Sequence, residues 1–230
     1  MFIRWLVVFV LFLAGAAPAW AEPPSAMLTR KSATPHLPKT PSPEERLQQA
    51  GLVDVEKYPG LHVFVRLRYA TQNNFTGQKI YASPRCYLHQ DAAHALAKAA
   101  QLAAQQKEPF TFCLWDCYRP QDAHQKLWDA APNPNYVAPP KKGSRHSRGM
   151  AVDLTPCDFE GNALAMPTDF DSFSTRAHMD FYDLPPDVLA RRETLKKIMT
   201  AAGFTYTRTE WWHFDKTGWK DKPLLNIPLP

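Results

Sequence analysis

Two short stretches of this chain carry side chains that could hold a metal ion. Residues 144–153 contain His146 and Asp153, and Glu210 and His213 follow near the C-terminus. Two imidazoles, one carboxylate ligand and a spare carboxylate are the groups of a catalytic zinc site that keeps one coordination position open for water. We therefore expect the two histidines and Asp153 to bind one Zn²⁺ per chain, with Glu210 left free to take a proton from water.

Asp153 interrupts an otherwise apolar run that indicates a strand. A buried carboxylate is costly unless it is paired or bound to a metal. His146 stands seven positions earlier (153 minus 146), and Gly149 between them permits a close turn that could bring both side chains to one point. Glu210 and His213 are three positions apart (213 minus 210), so a bend must bring them into one cleft. The competing interpretation is structural, with hydrogen-bonded histidines and an Asp153 that caps a neighbouring helix.

The elements that must position these residues follow from hydrophobic periodicity. Alternating apolar residues predict strands, whereas an alanine-rich run and helical spacing predict helices. Arg119 falls at a strand-to-helix junction, where loops often carry function. The predicted strands span residues 63–69, 110–117, 150–155, 204–208 and 211–214, and the predicted helices span residues 91–106, 121–130 and 186–202. Early and late strands around two to three helices indicate a single-domain α+β fold with a small, mainly antiparallel sheet.

With 230 residues and a hydrophobic fraction of 45%, the chain can bury one good core. Residues 1–21 have the pattern of a secretory signal peptide, with one positive charge at Arg4, an apolar run over residues 5–14 and a small-x-small cleavage site. That run is shorter than the roughly 20 residues of a spanning helix, so we expect cleavage rather than a membrane anchor. Residues 22–44 are proline-rich and predict an extended tether, which leaves residues 45–230 as the folded domain.

The predicted mature chain carries a formal charge of +4, because removal of residues 1–21 takes away one positive charge (+5 minus 1). So small and scattered a surplus does not indicate a nucleic-acid partner. The signal peptide predicts an exported protein of the periplasm or cell envelope, without a membrane anchor after cleavage.

The cysteines form an even set in a chain that is expected to be exported, so disulfides are plausible. They are Cys86, Cys113, Cys117 and Cys157. If residues 110–117 form a strand, Cys113 and Cys117 lie about 13 Å apart at roughly 3.3 Å per residue, which is too far to bridge. Two pairings remain open: Cys86 with Cys113 and Cys117 with Cys157, or Cys86 with Cys117 and Cys113 with Cys157. A structural zinc site built from all four is disfavoured because paired CxxC spacing is missing.

Four segments of the chain match a recognisable set of motifs. They are residues 65–77 (VRLRYATQNNFTG), 116–120 (DCYRP), 144–155 (SRHSRGMAVDLT) and 210–213 (EWWH). In this order they resemble the zinc D-alanyl-D-alanine dipeptidases, the VanX-type enzymes of the zinc D,D-peptidase group. The resemblance extends from about residue 45 to the C-terminus. It implies an α+β fold and zinc-dependent hydrolysis of the small dipeptide D-Ala-D-Ala in cell-wall metabolism.

The resemblance also assigns roles to individual residues. The implied zinc ligands are His146, Asp153 and His213. Glu210 would serve as general base and then as the acid that protonates the leaving amine, and Arg119 would stabilise the oxyanion. Ser144 and Asp171 align with positions that contact substrate, and the aspartate would hold the free amino group. A buried ammonium needs a carboxylate, and such a partner confines the pocket to substrates with a free N-terminus.

Two positions depart from the family pattern. Cys117 stands where the family commonly has glycine, and Arg145 replaces a small residue beside the first ligand. Cys117 is close to Arg119, and Cys157 follows the ligand Asp153 by four positions (157 minus 153). We therefore favour a disulfide between Cys117 and Cys157, which would tie the oxyanion-stabilising segment to the metal-binding strand. The better-known family members are cytoplasmic, in contrast to the export signal expected here.

Other functions fit parts of the same residue set. The nearest alternative is a zinc D,D-carboxypeptidase or endopeptidase that acts on peptidoglycan stem peptides, which a clamp on a free amine by Asp171 would exclude. A zinc module that binds wall fragments without hydrolysis is disfavoured by the presence of Glu210. A cysteine hydrolase that uses Cys117 lacks a convincing histidine partner.

Overall fold

The computed structural model describes residues 39–230, so the predicted signal peptide and most of the predicted tether lie outside the described residues. Thr40–Pro230 forms one unit by its internal contacts. The unit opens with α1 (Pro43–Gln49), which begins at a capping box formed by Ser42 and Glu45. Each side chain of this pair accepts a hydrogen bond from the other residue's backbone N–H. Among residues 39–230, no helix is both long and apolar enough to cross a lipid bilayer.

Seven strands and four α-helices make up the described region. The strands are β1 (Leu52–Asp54), β2 (Phe64–Val65), β3 (Tyr87–His89), β4 (Thr111–Asp116), β5 (Ala151–Cys157), β6 (Phe204–Tyr206) and β7 (His213–Lys216). The remaining helices are α2 (Gln90–Ala104), α3 (Gln121–Ala130) and α4 (Pro186–Ala201). The main sheet has the order β2-β4-β5-β7-β6, and only its β2–β4 pair is parallel; β1 and β3 form a separate antiparallel pair. The predicted α+β fold is confirmed, with the short α1 added to the three predicted helices.

One predicted strand is much shorter than the alternation suggested, and another is shifted along the chain. The strand expected over residues 63–69 is limited to β2, because Arg68–Ala70 turns into a 3-10 helix. The strand expected over residues 211–214 starts only at His213, since the two preceding tryptophans lie in a turn. The backbone N–H of His213 donates to the carbonyl oxygen of Glu210 at 3.3 Å, so the expected bend between these residues is present.

The alanine-rich helix α2 packs closely against the core. Its buried residues are Ala92, Ala93, Ala95, Leu96, Ala97, Ala99, Ala100 and Ala103. Small side chains let the helix approach its neighbours α4 and β4, while large aromatic residues such as Phe112 and Trp211 fill the interior. This packing fixes β4, β5 and β7, the strands that lead into the candidate site.

The disulfide joins Cys86 to Cys117, so the favoured pairing of Cys117 with Cys157 is wrong. Cys157 lies opposite Thr111 at the start of β4, whereas Cys117 follows the end of that strand. Six residues of strand (117 minus 111) correspond to roughly 20 Å, far beyond disulfide reach. The backbone after β4 instead hydrogen-bonds to β3, which begins one residue after Cys86. The two free cysteines, both buried, are Cys113 and Cys157.

Candidate metal centre

Neighbouring strands bring the three predicted metal ligands together. Asp153 on β5 and His213 on β7 are direct cross-strand partners in the antiparallel register. His146 is the first residue of a short 3-10 turn, His146–Arg148, that lies just before β5 in the chain. All three side chains are buried, and they form a group that could hold a metal ion.

Gly149 makes the turn between His146 and β5 possible. Its φ of 64° lies in the left-handed region that favours glycine. A Cβ atom at this position would lie 2.9 Å from the backbone nitrogen of His89, which also donates a hydrogen bond to the carbonyl oxygen of Gly149 at 2.8 Å. The close turn expected from the sequence is therefore present, and a larger residue would collide with β3.

The three candidate ligand atoms lie close to the mutual spacing of a zinc site. His213 Nδ1 lies 2.8 Å from Asp153 Oδ1 and 3.2 Å from His146 Nε2, and His146 Nε2 lies 3.3 Å from Asp153 Oδ1. In a tetrahedral site with bonds of roughly 2.0–2.1 Å, the ligand atoms are about 3.3 Å apart. Two imidazole nitrogens and a carboxylate oxygen are also ligands that zinc prefers. The residues present thus fit a zinc ion without rearrangement of the backbone.

The outer nitrogen of each imidazole has a hydrogen-bond acceptor of its own. His146 Nδ1 lies 2.8 Å from the carbonyl oxygen of Cys117, and His213 Nε2 lies 2.9 Å from Asp215 Oδ1. A proton on each outer nitrogen leaves the inner nitrogen with a lone pair directed at the shared centre. These contacts select the ring nitrogens that can bind metal.

Charge interactions within the centre shift two carboxyl groups in opposite directions. Burial would raise the pKa of Asp153, but the adjacent His146 and His213 outweigh it and hold that pKa well below its usual range. Burial raises the pKa of Glu210 to about 7, against the opposing effect of the nearby histidines. Within the described residues, no hydrogen bond engages the Glu210 carboxylate. Glu210 is therefore available to exchange a proton near neutral pH.

A cleft of about 360 Å³ opens over the centre. The predicted site residues that line it are Ser144, His146, Asp153, Asp171, Arg119, Glu210 and His213. The predicted surface loop before Ser144 forms part of its rim, where Tyr136 stacks on Phe173 with ring centroids 4.5 Å apart. The structure therefore brings every predicted site residue to one cleft.

Arg119 is held rigidly at the wall of this cleft. Its Nε and Nη2 atoms donate to Asp116 Oδ2 at 2.9 and 2.5 Å, and its Nη1 atom lies 3.2 Å from His124 Nδ1. Burial would lower the pKa of Arg119, but Asp116 keeps it well above its usual value. Burial, together with the charge of Arg119, lowers the pKa of His124 to about 4, so its neutral ring can accept the arginine's hydrogen bond. The guanidinium therefore remains charged in a fixed position.

Asp171 is the one non-glycine residue with positive φ in the described region, at 56°. Its Oδ1 atom accepts a hydrogen bond from the Tyr69 hydroxyl at 3.1 Å, and its Oδ2 atom lies 3.5 Å from the backbone nitrogen of Phe75. Burial, reinforced by the charge of Asp153, raises the pKa of Asp171 to about 8. An unusual backbone conformation at a half-buried acid in a cleft indicates a functional constraint.

Ser144 lies beside the predicted metal ligands but has a local structural contact. Its Oγ atom accepts a hydrogen bond from the backbone N–H of His146 at 3.2 Å. The serine thus shapes the 3-10 turn, and its expected contact with substrate stays a prediction.

Three residues that support the site were not identified from the sequence. They are Asp116, His124 and Asp215. Asp116 lies within the DCYRP segment, and Asp215 follows His213 by two positions, which places both side chains on one face of a strand. These two positions could therefore have been predicted from the sequence to support the site. His124 carried none, because its two partners, Arg119 and the carbonyl oxygen of Ala138, lie in the loops on either side of α3.

The α+β fold and the buried His-Asp-His group, set in a cleft with a free carboxylate, define a metallopeptidase. Residues 48–226 match the peptidase M15 family, described as D-ala-D-ala dipeptidase. The chain belongs to this family, as the sequence motifs indicated.

Several relatives of this chain are named D-alanyl-D-alanine dipeptidase, and three of them show the extent of the similarity. The chain is 42% identical to the protein from Escherichia coli K12 over 168 residues, which cover 73% of this chain and 85% of the relative. It is 33% identical to the Enterococcus faecium protein over 183 residues, with 69% and 87% covered. The Enterococcus faecalis V583 protein is 32% identical over 187 residues, with 71% and 86% covered. The similarity thus extends over most of each chain.

Proposed function

We propose that this protein is a zinc-dependent dipeptidase that hydrolyses D-Ala-D-Ala to two molecules of D-alanine. The observation that carries the proposal is the triangle of ligand atoms, 2.8 to 3.3 Å apart, in one cleft with an available carboxylate and a fixed guanidinium. The names of the relatives support the dipeptide as substrate.

His146, Asp153 and His213 would hold the zinc ion. When bound there, zinc supplies Lewis-acid chemistry, since it polarises a carbonyl and acidifies water. Glu210 takes a proton from the attacking water on a carboxylate oxygen and then gives it to the nitrogen of the leaving D-alanine. A pKa raised towards 7 suits a group that must both accept and release a proton near neutral pH.

Arg119 stabilises the negative oxygen that develops on the attacked carbonyl carbon. Its paired contacts to Asp116 hold the guanidinium in place before substrate arrives, so little reorganisation is needed during the reaction. The neutral His124 beside it adds a further constraint without adding positive charge.

Asp171 binds the ammonium group of the substrate. The half-buried Asp171 carboxyl has a raised pKa in the protein without substrate. An ammonium group beside it would favour its ionised form. Ser144, at the same cleft, would contact the substrate near the metal. A substrate whose amino group is acylated would leave Asp171 without its partner, which disfavours long stem peptides.

We further propose that the protein is exported and acts in the periplasm or cell envelope. The pattern of residues 1–21 supports this location, and so does a disulfide, a bond that persists mainly in oxidising compartments. In that setting the enzyme would recycle wall-derived dipeptide rather than deplete a cytoplasmic precursor.

The test compares free D-Ala-D-Ala with its N-acetyl derivative as substrates of the mature protein. We expect rapid release of D-alanine from the free dipeptide and negligible release from the acetylated one. Efficient turnover of the acetylated compound would favour a D,D-carboxypeptidase and overturn the dipeptidase assignment. An Asp171→Asn variant should lose much of the preference for the free amine.

A further inference from the structure

Asp215 lies directly behind the metal ligand His213. The two residues are separated by two positions on β7, so their side chains project from the same face of the strand. Asp215 is only 3% exposed, and its Oδ1 atom lies 2.9 Å from His213 Nε2. A buried carboxylate in this position can accept the outer imidazole N–H and so present Nδ1 to the centre.

Arg145 holds the other oxygen of the same carboxylate. Its Nη1 atom lies 2.9 Å from Asp215 Oδ2, and its guanidinium carbon lies 4.8 Å from the ring centroid of Trp219. The residue opposite Asp215 on β5 is the small Ala151, which leaves space on this face of the sheet. Arg145 therefore links the segment that carries His146 to the strand that carries His213.

We propose that Asp215 is a positioning residue that acts through His213, and that Arg145 fixes the orientation of its carboxylate. This inference rests on the proposed zinc site but concerns a residue outside it. It also gives a role to Arg145, which departs from the family pattern beside the first ligand. The chain Arg145–Asp215–His213 fixes the ring tautomer and the direction of Nδ1 before metal enters.

The test measures zinc affinity rather than catalysis, by competition with a chromophoric chelator. Loss of such an outer carboxylate typically weakens metal binding by about 10- to 100-fold. We expect a loss in this range for Asp215→Ala and a smaller one for Asp215→Asn, whose amide oxygen can still accept from Nε2. Asp221→Ala is the matched control, because Asp221 is an exposed acid six positions further along the chain (221 minus 215), and its loss should leave the affinity unchanged.

A double-variant cycle tests whether Asp215 acts through His213. In a His213→Ala background, the Asp215→Asn change should have no further effect on zinc affinity, whereas in a His146→Ala background it should retain its effect. The absorption spectrum of bound Co²⁺ should change in Asp215→Ala, since the orientation of a ligand changes. Far-UV circular dichroism shows whether Asp215→Ala folds. If it does not, zinc affinity and the Co²⁺ spectrum are measured on the conservative Asp215→Asn variant instead.

The outcomes separate this inference from the proposed function. Wild-type affinity and an unchanged Co²⁺ spectrum in a folded Asp215→Ala, or in Asp215→Asn if the alanine variant unfolds, would overturn the positioning role. An effect of equal size with and without His213 would also overturn it. Failure of the wild-type protein to bind zinc would instead contradict the proposed function.

Discussion

The Nδ1 atom of His146 lies 2.8 Å from the carbonyl oxygen of Cys117, whose sulfur is bonded to Cys86. The acceptor that orients one predicted metal ligand therefore belongs to a residue anchored by the disulfide. Cys117 also precedes Arg119 by two positions, so the same bond restrains the segment that carries the guanidinium. The disulfide links the core at β3 to two functional groups of the cleft.

Replacing Cys86 and Cys117 together by serine should destabilise the protein. Closing a loop of 31 residues stabilises a fold by about 3–4 kcal/mol, chiefly through the unfolded chain. Urea unfolding of the wild type and the double variant measures this difference. A reductant should lower the stability of the wild type and leave that of the double variant unchanged. If complete reduction does not change the stability of the wild type, the disulfide does not stabilise the fold.

Gly149→Ala should cost more stability than Gly60→Ala, although both glycines have positive φ. An alanine in the left-handed region costs about 1–2 kcal/mol at either position. At Gly149 the new methyl group also meets the backbone of His89, which adds about 1–3 kcal/mol, whereas nothing lies within 4 Å at Gly60. The free energy of unfolding and the zinc affinity of the Gly149→Ala and Gly60→Ala variants are measured and compared. Equal losses of stability at both positions would show that the methyl group at position 149 does not collide with the backbone of His89.

The sequence predicted which residues meet in the cleft, but it did not predict the disulfide or all of the side chains that hold them. The positions of His146, Asp153 and His213 follow from a turn and an antiparallel pair, both of which have local signals. The disulfide depends on which loop lies beside the end of β4, a long-range packing outcome that spacing cannot give. Alternation over residues 63–69 likewise predicts a longer strand than the structure has, because β2 ends at Val65 and a 3-10 helix begins at Arg68.

Substrate affinity should increase as the pH rises towards 8. The pKa of Asp171 is raised to about 8 in the free protein, so at pH 6 its carboxyl is mostly protonated and must lose that proton before it pairs with the substrate ammonium. As the pH rises towards 8, KM for D-Ala-D-Ala should therefore fall by up to about tenfold per pH unit. The fall should end near pH 8, where the substrate amine itself loses its proton. The measurement is KM against pH for the wild type and Asp171→Asn. The variant should have a high KM without this slope, and an equal slope in both proteins would exclude Asp171 as its source.

Arg119→Lys should reduce kcat by about 100- to 1,000-fold, the usual effect of removing one preorganised donor to an oxyanion. Lysine keeps the charge beside Asp116 but cannot reproduce the paired contacts that aim the guanidinium. Zinc content should stay the same. Steady-state kinetics with Arg66→Lys as the exposed control checks the prediction, and a loss confined to KM would assign Arg119 to substrate binding alone.

The most direct measurement is a zinc titration of the metal-free protein, with hydrolysis of D-Ala-D-Ala followed at each step. We expect no turnover without metal and full activity at one zinc ion per chain. Glu210→Gln should bind the same amount of zinc but remain at least about 100-fold less active, because it cannot take up the proton. Full turnover by the metal-free protein, or by zinc-loaded Glu210→Gln, would contradict a zinc dipeptidase that uses Glu210 as its base.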